Sequence, residues 1–120
     1  MPREKHSFRS YSENVNILIV AESLVYPSVI HIRLEIFDNL LDNQKDLIID
    51  CYYLKTIDFT GIRFFDELYK FQRRLGFNLV LSRISSSVLD IFKKIDVANE
   101  FVIFDANEDA ADFLRKLSVK

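Results

Sequence analysis

Asp58, Phe59, Thr60 and Gly61 are the residues of this 120-residue chain best placed to do chemistry. They lie between an apolar run ending at Cys51 and an amphipathic run, residues 62–75. The spacing sets the Thr60 hydroxyl at a helix start, where unpaired backbone N–H groups and the positive end of the helix dipole favour an oxygen acceptor or an anion. Two roles are open to that hydroxyl: it caps the helix, or it accepts a phosphoryl group whose charge the helix terminus tolerates.

The other reactive types give less. Cys51 is the only cysteine, which excludes an internal disulfide and a cysteine-based zinc site and points to a reducing compartment. It closes the run Leu47, Ile48, Ile49, Asp50 and reads as a small core residue. His6 and His31 are the only histidines and stand in unlike contexts, so neither a histidine metal site nor a nucleophile–base pair is supported. Gly61 and Gly76 are the only glycines and neither lies in a phosphate-loop or dinucleotide pattern, so no cofactor is expected. Asp38, Asp42 and Asp46, and Asp105, Glu108, Asp109 and Asp112, read as solvated faces rather than acid–base pairs. The hydroxyl run Ser85 to Ser87 reads as a helix start. Tyr52 and Tyr53 precede the Asp58 loop and either enter the core or are displayed for a partner.

The elements that must hold the loop follow from periodicity. Residues 16–22 and 46–51 and the stretch 77–81 are short, β-branched or apolar throughout, as strands buried on both faces are. Pro27 or Ser28 opens a helix in which Ile30, Leu34, Phe37 and Leu41 recur at helical spacing, ending near Asp42 or Asn43. In residues 62–75, Phe64, Phe65, Leu68 and Leu75 face one way and Arg63, Asp66, Glu67, Lys70, Arg73 and Arg74 largely the other, with Gly76 as a left-handed stop. Residues 85–94 read as a helix, 101–104 as a short strand and 107–117 as a last helix with acids first and bases last. Phe37, Phe64, Phe65, Phe92 and Phe113 are expected in the core. Strands alternating with helices predict one α/β domain. Residues 1–12 form an edge strand or a loose arm, and residues 13–120 the domain. A net charge of −2 provides no footprint for nucleic acid, and no apolar stretch is long enough for a membrane span, so the expected location is the cytoplasm.

The order and spacing of Leu47–Ile48–Ile49–Asp50, Ile57–Asp58–Phe59–Thr60–Gly61, Arg74–Leu75–Gly76, Leu79–Val80–Leu81 and the stretch 104–111 resemble the STAS domain, over nearly the whole chain. That fold is shared by bacterial anti-sigma factor antagonists and the cytosolic tails of sulfate permease family anion transporters. The resemblance implies a central mixed sheet of about four to five strands with about four helices packed mainly on one face, and a non-catalytic regulatory role. In the antagonists the loop is typically Asp, Ser, Ser, Gly and its second hydroxyl is phosphorylated. Thr60 is thus the implied phosphoacceptor, with Phe59 in place of the first serine.

Antagonists also tend to carry a Gly, acidic, Leu or Ile, Asp signature after their second strand. Here the chain reads Ala21, Glu22, Ser23, Leu24, Val25, Tyr26, Pro27, Ser28, which looks more like the transporter tails, above all those of the sodium-independent sulfate type. The implied partners are a transporter membrane domain at the cytosolic face of a membrane or a regulatory kinase, with homodimerisation also open.

Overall fold

The computed structural model describes residues 5–95 and 100–118. Residues 1–4 of the expected arm, and 96–99 and 119–120 of the expected domain, lie outside the described residues.

Seven strands and four helices follow one another: β1 (Ser7–Ser12), β2 (Val15–Ile19), β3 (Ser23–Leu24), α1 (Ser28–Asp42), β4 (Asp46–Asp50), β5 (Thr56–Ile57), α2 (Phe59–Leu75), β6 (Leu79–Ser82), α3 (Ser86–Lys93), β7 (Ile103–Phe104) and α4 (Asn107–Ser118). The main sheet has five strands in the order β1-β2-β4-β6-β7. β1 runs antiparallel to β2 as an edge strand, and the remaining pairs are parallel.

Every residue of β2, β4 and β6 is buried, as expected of strands covered on both faces. Register carries the alternation across the sheet. Leu18, Ile49 and Leu81 are lateral neighbours on one face, where they join the core beneath α1, α2 and α3. Ile17, Ile48 and Val80 align on the other and pack against Ala110 and Leu114 of α4. Three helices therefore cover one face and α4 alone covers the second. Phe64, Phe65 and Phe92 are fully buried, with the Phe65 and Phe92 rings 5.7 Å apart, and each such side chain contributes about 1.5–3 kcal/mol. Phe37 and Phe113 pack at the margins of the two cores.

α2 stops where its sequence predicts. Gly76 has φ +89°, its N–H bonds the Arg73 carbonyl and the Phe77 N–H bonds the Gln72 carbonyl, the pair of bonds that closes a Schellman motif. Two short strands, β3 and β5, were not expected. They form a separate two-stranded parallel ladder, Ser23 against Thr56 and Leu24 against Ile57. Asp46 departs from the solvated role expected of it: it is buried, and its carboxylate accepts the Asn78 backbone N–H at 2.8 Å, tying β4 to the entry of β6.

On α1 the buried residues are Val29, Ile36 and Leu40, while Ile30, Leu34 and Leu41 of the helical-period set lie outside. The helix carries apolar side chains on two adjacent stripes, and the sheet covers only one.

Candidate functional site

The Asp58 loop is built from the carboxyl end of β4 outward. Asp50, the last residue of β4, is wholly buried, a position a carboxylate holds only when fully partnered. Arg83 grips it with two hydrogen bonds, Nε to Oδ1 at 3.1 Å and Nη2 to Oδ2 at 2.6 Å. Asn107 Nδ2 donates to Oδ2 at 3.1 Å and the Tyr52 N–H to Oδ1 at 3.0 Å. Ser82 Oγ donates in turn to Asn107 Oδ1. Burial pushes the Asp50 pKa up, but the bonds from Arg83, Asn107 and Tyr52 and the Arg83 charge outweigh it, so the carboxyl is held below its ordinary range.

Arg83 reaches this place from a left-handed backbone, φ +54°, with its N–H on the Phe104 carbonyl. Its guanidinium also lies 4.4 Å from the centre of the Tyr52 ring. Strand carboxyl ends are where open parallel sheets tend to bind ligands. Here an internal ionic knot joining β4, β6 and α4 fills that position.

From this anchor the chain displays Tyr52 and Tyr53, exposed and edge to face with ring centres 5.1 Å apart. Of the two roles open to these tyrosines, the structure selects display. Leu54 then returns to the core, and the N–H groups of Lys55 and Thr56 both bond the Glu22 carbonyl. The β3–β5 ladder thus lays residues 22–24 directly beside the approach to α2.

Asp58, and not Thr60, caps α2. Its Oδ1 accepts the Gly61 N–H at 3.1 Å, while its Oδ2 accepts the Tyr26 N–H at 2.9 Å. The capping role open to Thr60 is therefore taken by the residue two positions earlier, because only there is the backbone extended, at φ −114° and ψ −174°, as a cap requires. Thr60 stands in the first turn, partly exposed, and its hydroxyl makes no hydrogen bond among the described residues. Phe59 is 58% exposed, with the Arg63 guanidinium 5.9 Å from its ring centre. Gly61 allows the close approach of β3: a Cβ there would meet the Leu24 carbonyl oxygen at 2.3 Å and Ile57 Cγ1 at 2.7 Å.

The four loop residues therefore divide the work. Asp58 and Gly61 hold the turn, and Phe59 and Thr60 face outward. His6 lies 3.5 Å from Glu35, and His31 is exposed on α1. Cys51 is fully buried, and burial first, then the Asp50 charge, pushes its thiol pKa well up, so it stays neutral. Among the described residues no group of three or more His, Cys, Asp or Glu is arranged to hold a metal ion, and no helix is long and apolar enough to cross a membrane. Asp50, Arg83 and Asn107 were not singled out from the sequence for any role. The available signal was a lone acid ending the apolar run Leu47–Ile49 and a lone base just past Leu79–Leu81.

The family model for the STAS domain matches residues 11–110. This chain belongs to the STAS domain family. Among solved structures, this STAS domain superposes on RsbS of Moorella thermoacetica with a TM-score of 0.80 at 20% identity, covering 98% of this chain and 100% of that one. It superposes on the anti-sigma factor antagonist SpoIIAA in its unphosphorylated form at 0.78 and 15% identity, covering 92% and 96%. The phosphorylated form of SpoIIAA, a Bacillus cell fate determinant, gives 0.69 at 14%, covering 89% and 96%. The inward-facing murine anion transporter Slc26a9 gives 0.72 at 18% identity, covering 86% of this STAS domain but 18% of the transporter chain. At these identities the likeness is one of fold. Comparison with curated protein sequences gives no match.

Proposed function

We propose that this STAS domain is a non-catalytic protein-interaction module forming the cytosolic regulatory portion of a sulfate or related anion transporter. The observation that carries the reading is the stretch 21–28, which departs from the antagonist signature and resembles the transporter tails. Its Tyr26 N–H is bonded to Asp58, so the stretch that separates the two groups of relatives abuts the motif loop. The exposed side chains there, Tyr26, Phe59, Tyr52 and Tyr53, suit contact with a protein partner. On this reading residues 13–120 are the domain and β1 its edge. Determining the full open reading frame tests it: membrane-spanning segments encoded upstream are expected, and a frame without them overturns it.

The alternative is a stand-alone phosphoswitch acting at Thr60, supported by a hydroxyl left out of the helix cap and by its place in the family motif. Phosphorylation would add roughly −1.5 to −2 charge. The dipole of α2 stabilises such a charge by about 0.3–1 kcal/mol, so the fold would persist while a complementary interface would not. Intact-mass analysis of protein from its native source, followed by peptide mapping, decides it. Phosphate on Thr60 is the expected result, and uniformly unmodified Thr60 removes this alternative.

A further inference from the structure

α1 and α2 lie side by side with a groove of about 440 Å³ between them, lined by Leu34, Phe37 and Phe71 together with Arg63, Lys70 and Arg74. The α1 wall is apolar. Ile30, Leu34, Phe37 and Leu41 follow the i, i+4, i+7, i+11 spacing of a single helical stripe, and Ile30, Leu34 and Leu41 are 53%, 69% and 51% exposed. Phe37 sits half-buried between them, edge-on to Phe71 with ring centres 5.0 Å apart.

The α2 wall is cationic. Arg63, Lys70 and Arg74 repeat at the same helical period as the apolar stripe opposite. The two carboxylates of the groove are already engaged: Glu67 with Arg33 through bonds of 3.1 and 2.6 Å, and Asp66 with Lys70 at 3.0 Å. Arg63 and Arg74 have no ion-pair partner among the described residues. The groove thus carries an excess of positive charge on a chain whose net charge is −2.

We infer that the α1–α2 groove docks an acidic amphipathic helix of a partner protein. An apolar stripe of this spacing runs for about 16 Å along α1, three helical turns, which matches the anchors of a helix laid in a groove. The unpaired Arg63 and Arg74 select Asp and Glu beside those anchors, since like charges there would be repelled. A bilayer is disfavoured because the surface is concave and already holds two carboxylates. This assignment rests neither on the transporter reading nor on the state of Thr60.

The test is fluorescence anisotropy of the full chain with a labelled synthetic helix bearing a leucine stripe flanked by glutamates, and with the same peptide carrying lysines instead. Saturable binding of the glutamate peptide is expected. Arg63→Glu with Arg74→Glu should weaken it roughly tenfold or more while improving binding of the lysine peptide. Leu34→Gln should weaken binding of the glutamate peptide by several-fold. Both variants change exposed side chains, and thermal melts read by circular dichroism check that the fold is kept. No saturable binding overturns the assignment, as does equal binding of the two peptides. Binding to phosphatidylserine-containing vesicles that Arg63→Glu with Arg74→Glu abolishes would reassign the groove to a membrane surface. A concentration-dependent dimer in sedimentation that Leu34→Gln abolishes would reassign it to a second copy of the chain.

Discussion

The Asp58 carboxylate holds two segments 32 positions apart, taking the Tyr26 N–H on one oxygen at 2.9 Å and the Gly61 N–H on the other. One side chain thus caps α2 and fastens the chain entering α1. Asp58→Ala should lower stability by about 1–2 kcal/mol, and Asp58→Asn by less because the amide oxygen still accepts one of the two bonds. Thr60→Ala, which removes no hydrogen bond, should change stability by less than about 0.5 kcal/mol. Urea denaturation of the three variants checks this ordering.

Gly61→Ala should be the more damaging of the two glycine replacements. Its Cβ would press on the Leu24 carbonyl, a backbone atom held in the β3–β5 ladder, at an overpacking cost of about 1–3 kcal/mol. At Gly76 the space is open and only the left-handed backbone objects, so Gly76→Ala should cost about 1 kcal/mol. Midpoints from thermal or urea unfolding distinguish the two.

Arg83→Met should destabilise the protein by about 3–5 kcal/mol, because it leaves the Asp50 carboxylate buried with only Asn107 and one backbone N–H to compensate. The pH dependence carries the sign of a lowered carboxyl pKa. Asp50 is protonated more readily in the unfolded chain, so its contribution is present above the ordinary carboxylate pKa of about 4 and lost as pH falls through the lower folded value. Acid titration of stability, wild type against Asp50→Asn, reads this directly: the variant should lose less stability on acidification.

Glu100 titrates in the opposite sense. Its Oε2 and the Asp66 Oδ1 are both buried without a donor among the described residues, the situation of two carboxyls sharing one proton. Burial first, then Asp66, pushes the Glu100 pKa up to about 7, with Lys70 opposing. Burial also pushes Asp66 up, but the Glu100 hydrogen bond, Lys70 and Arg63 hold it low, so the proton resides on Glu100. A raised folded pKa means stability that is full below the unfolded value and declines as pH rises through 7. Glu100→Gln should flatten the stability profile between about pH 5 and 8, measured by urea midpoints across that range.

The strands and helices were legible in the sequence because burial on two faces makes β2, β4 and β6 apolar throughout, and because Gly76 and Ser85 carry unambiguous stop and start chemistry. The Ser85 cap is observed, its hydroxyl accepting the Val88 N–H at 3.3 Å. β3 and β5 were not legible: two residues each are too short for any period, and their pairing depends on contact between segments far apart in sequence. On α1, spacing alone showed helix but not which of two apolar stripes the sheet would cover. The motif loop was found as a unit, yet the assignment of the cap to Asp58 needed the backbone angles. Asp50 with Arg83 was hidden because pairing of single charges at two strand ends leaves no local pattern.

The β3–β5 ladder has a mechanical consequence. The N–H groups of Lys55, Thr56 and Asp58 all rest on carbonyls of Glu22 and Leu24, and the Tyr26 N–H returns the link through Asp58. These bonds form a closed circuit, so neither loop can lift without releasing the other, and residues 22–26 and 55–58 open as one cooperative unit. A force applied at Tyr26 is therefore felt at the first turn of α2, where Thr60 stands.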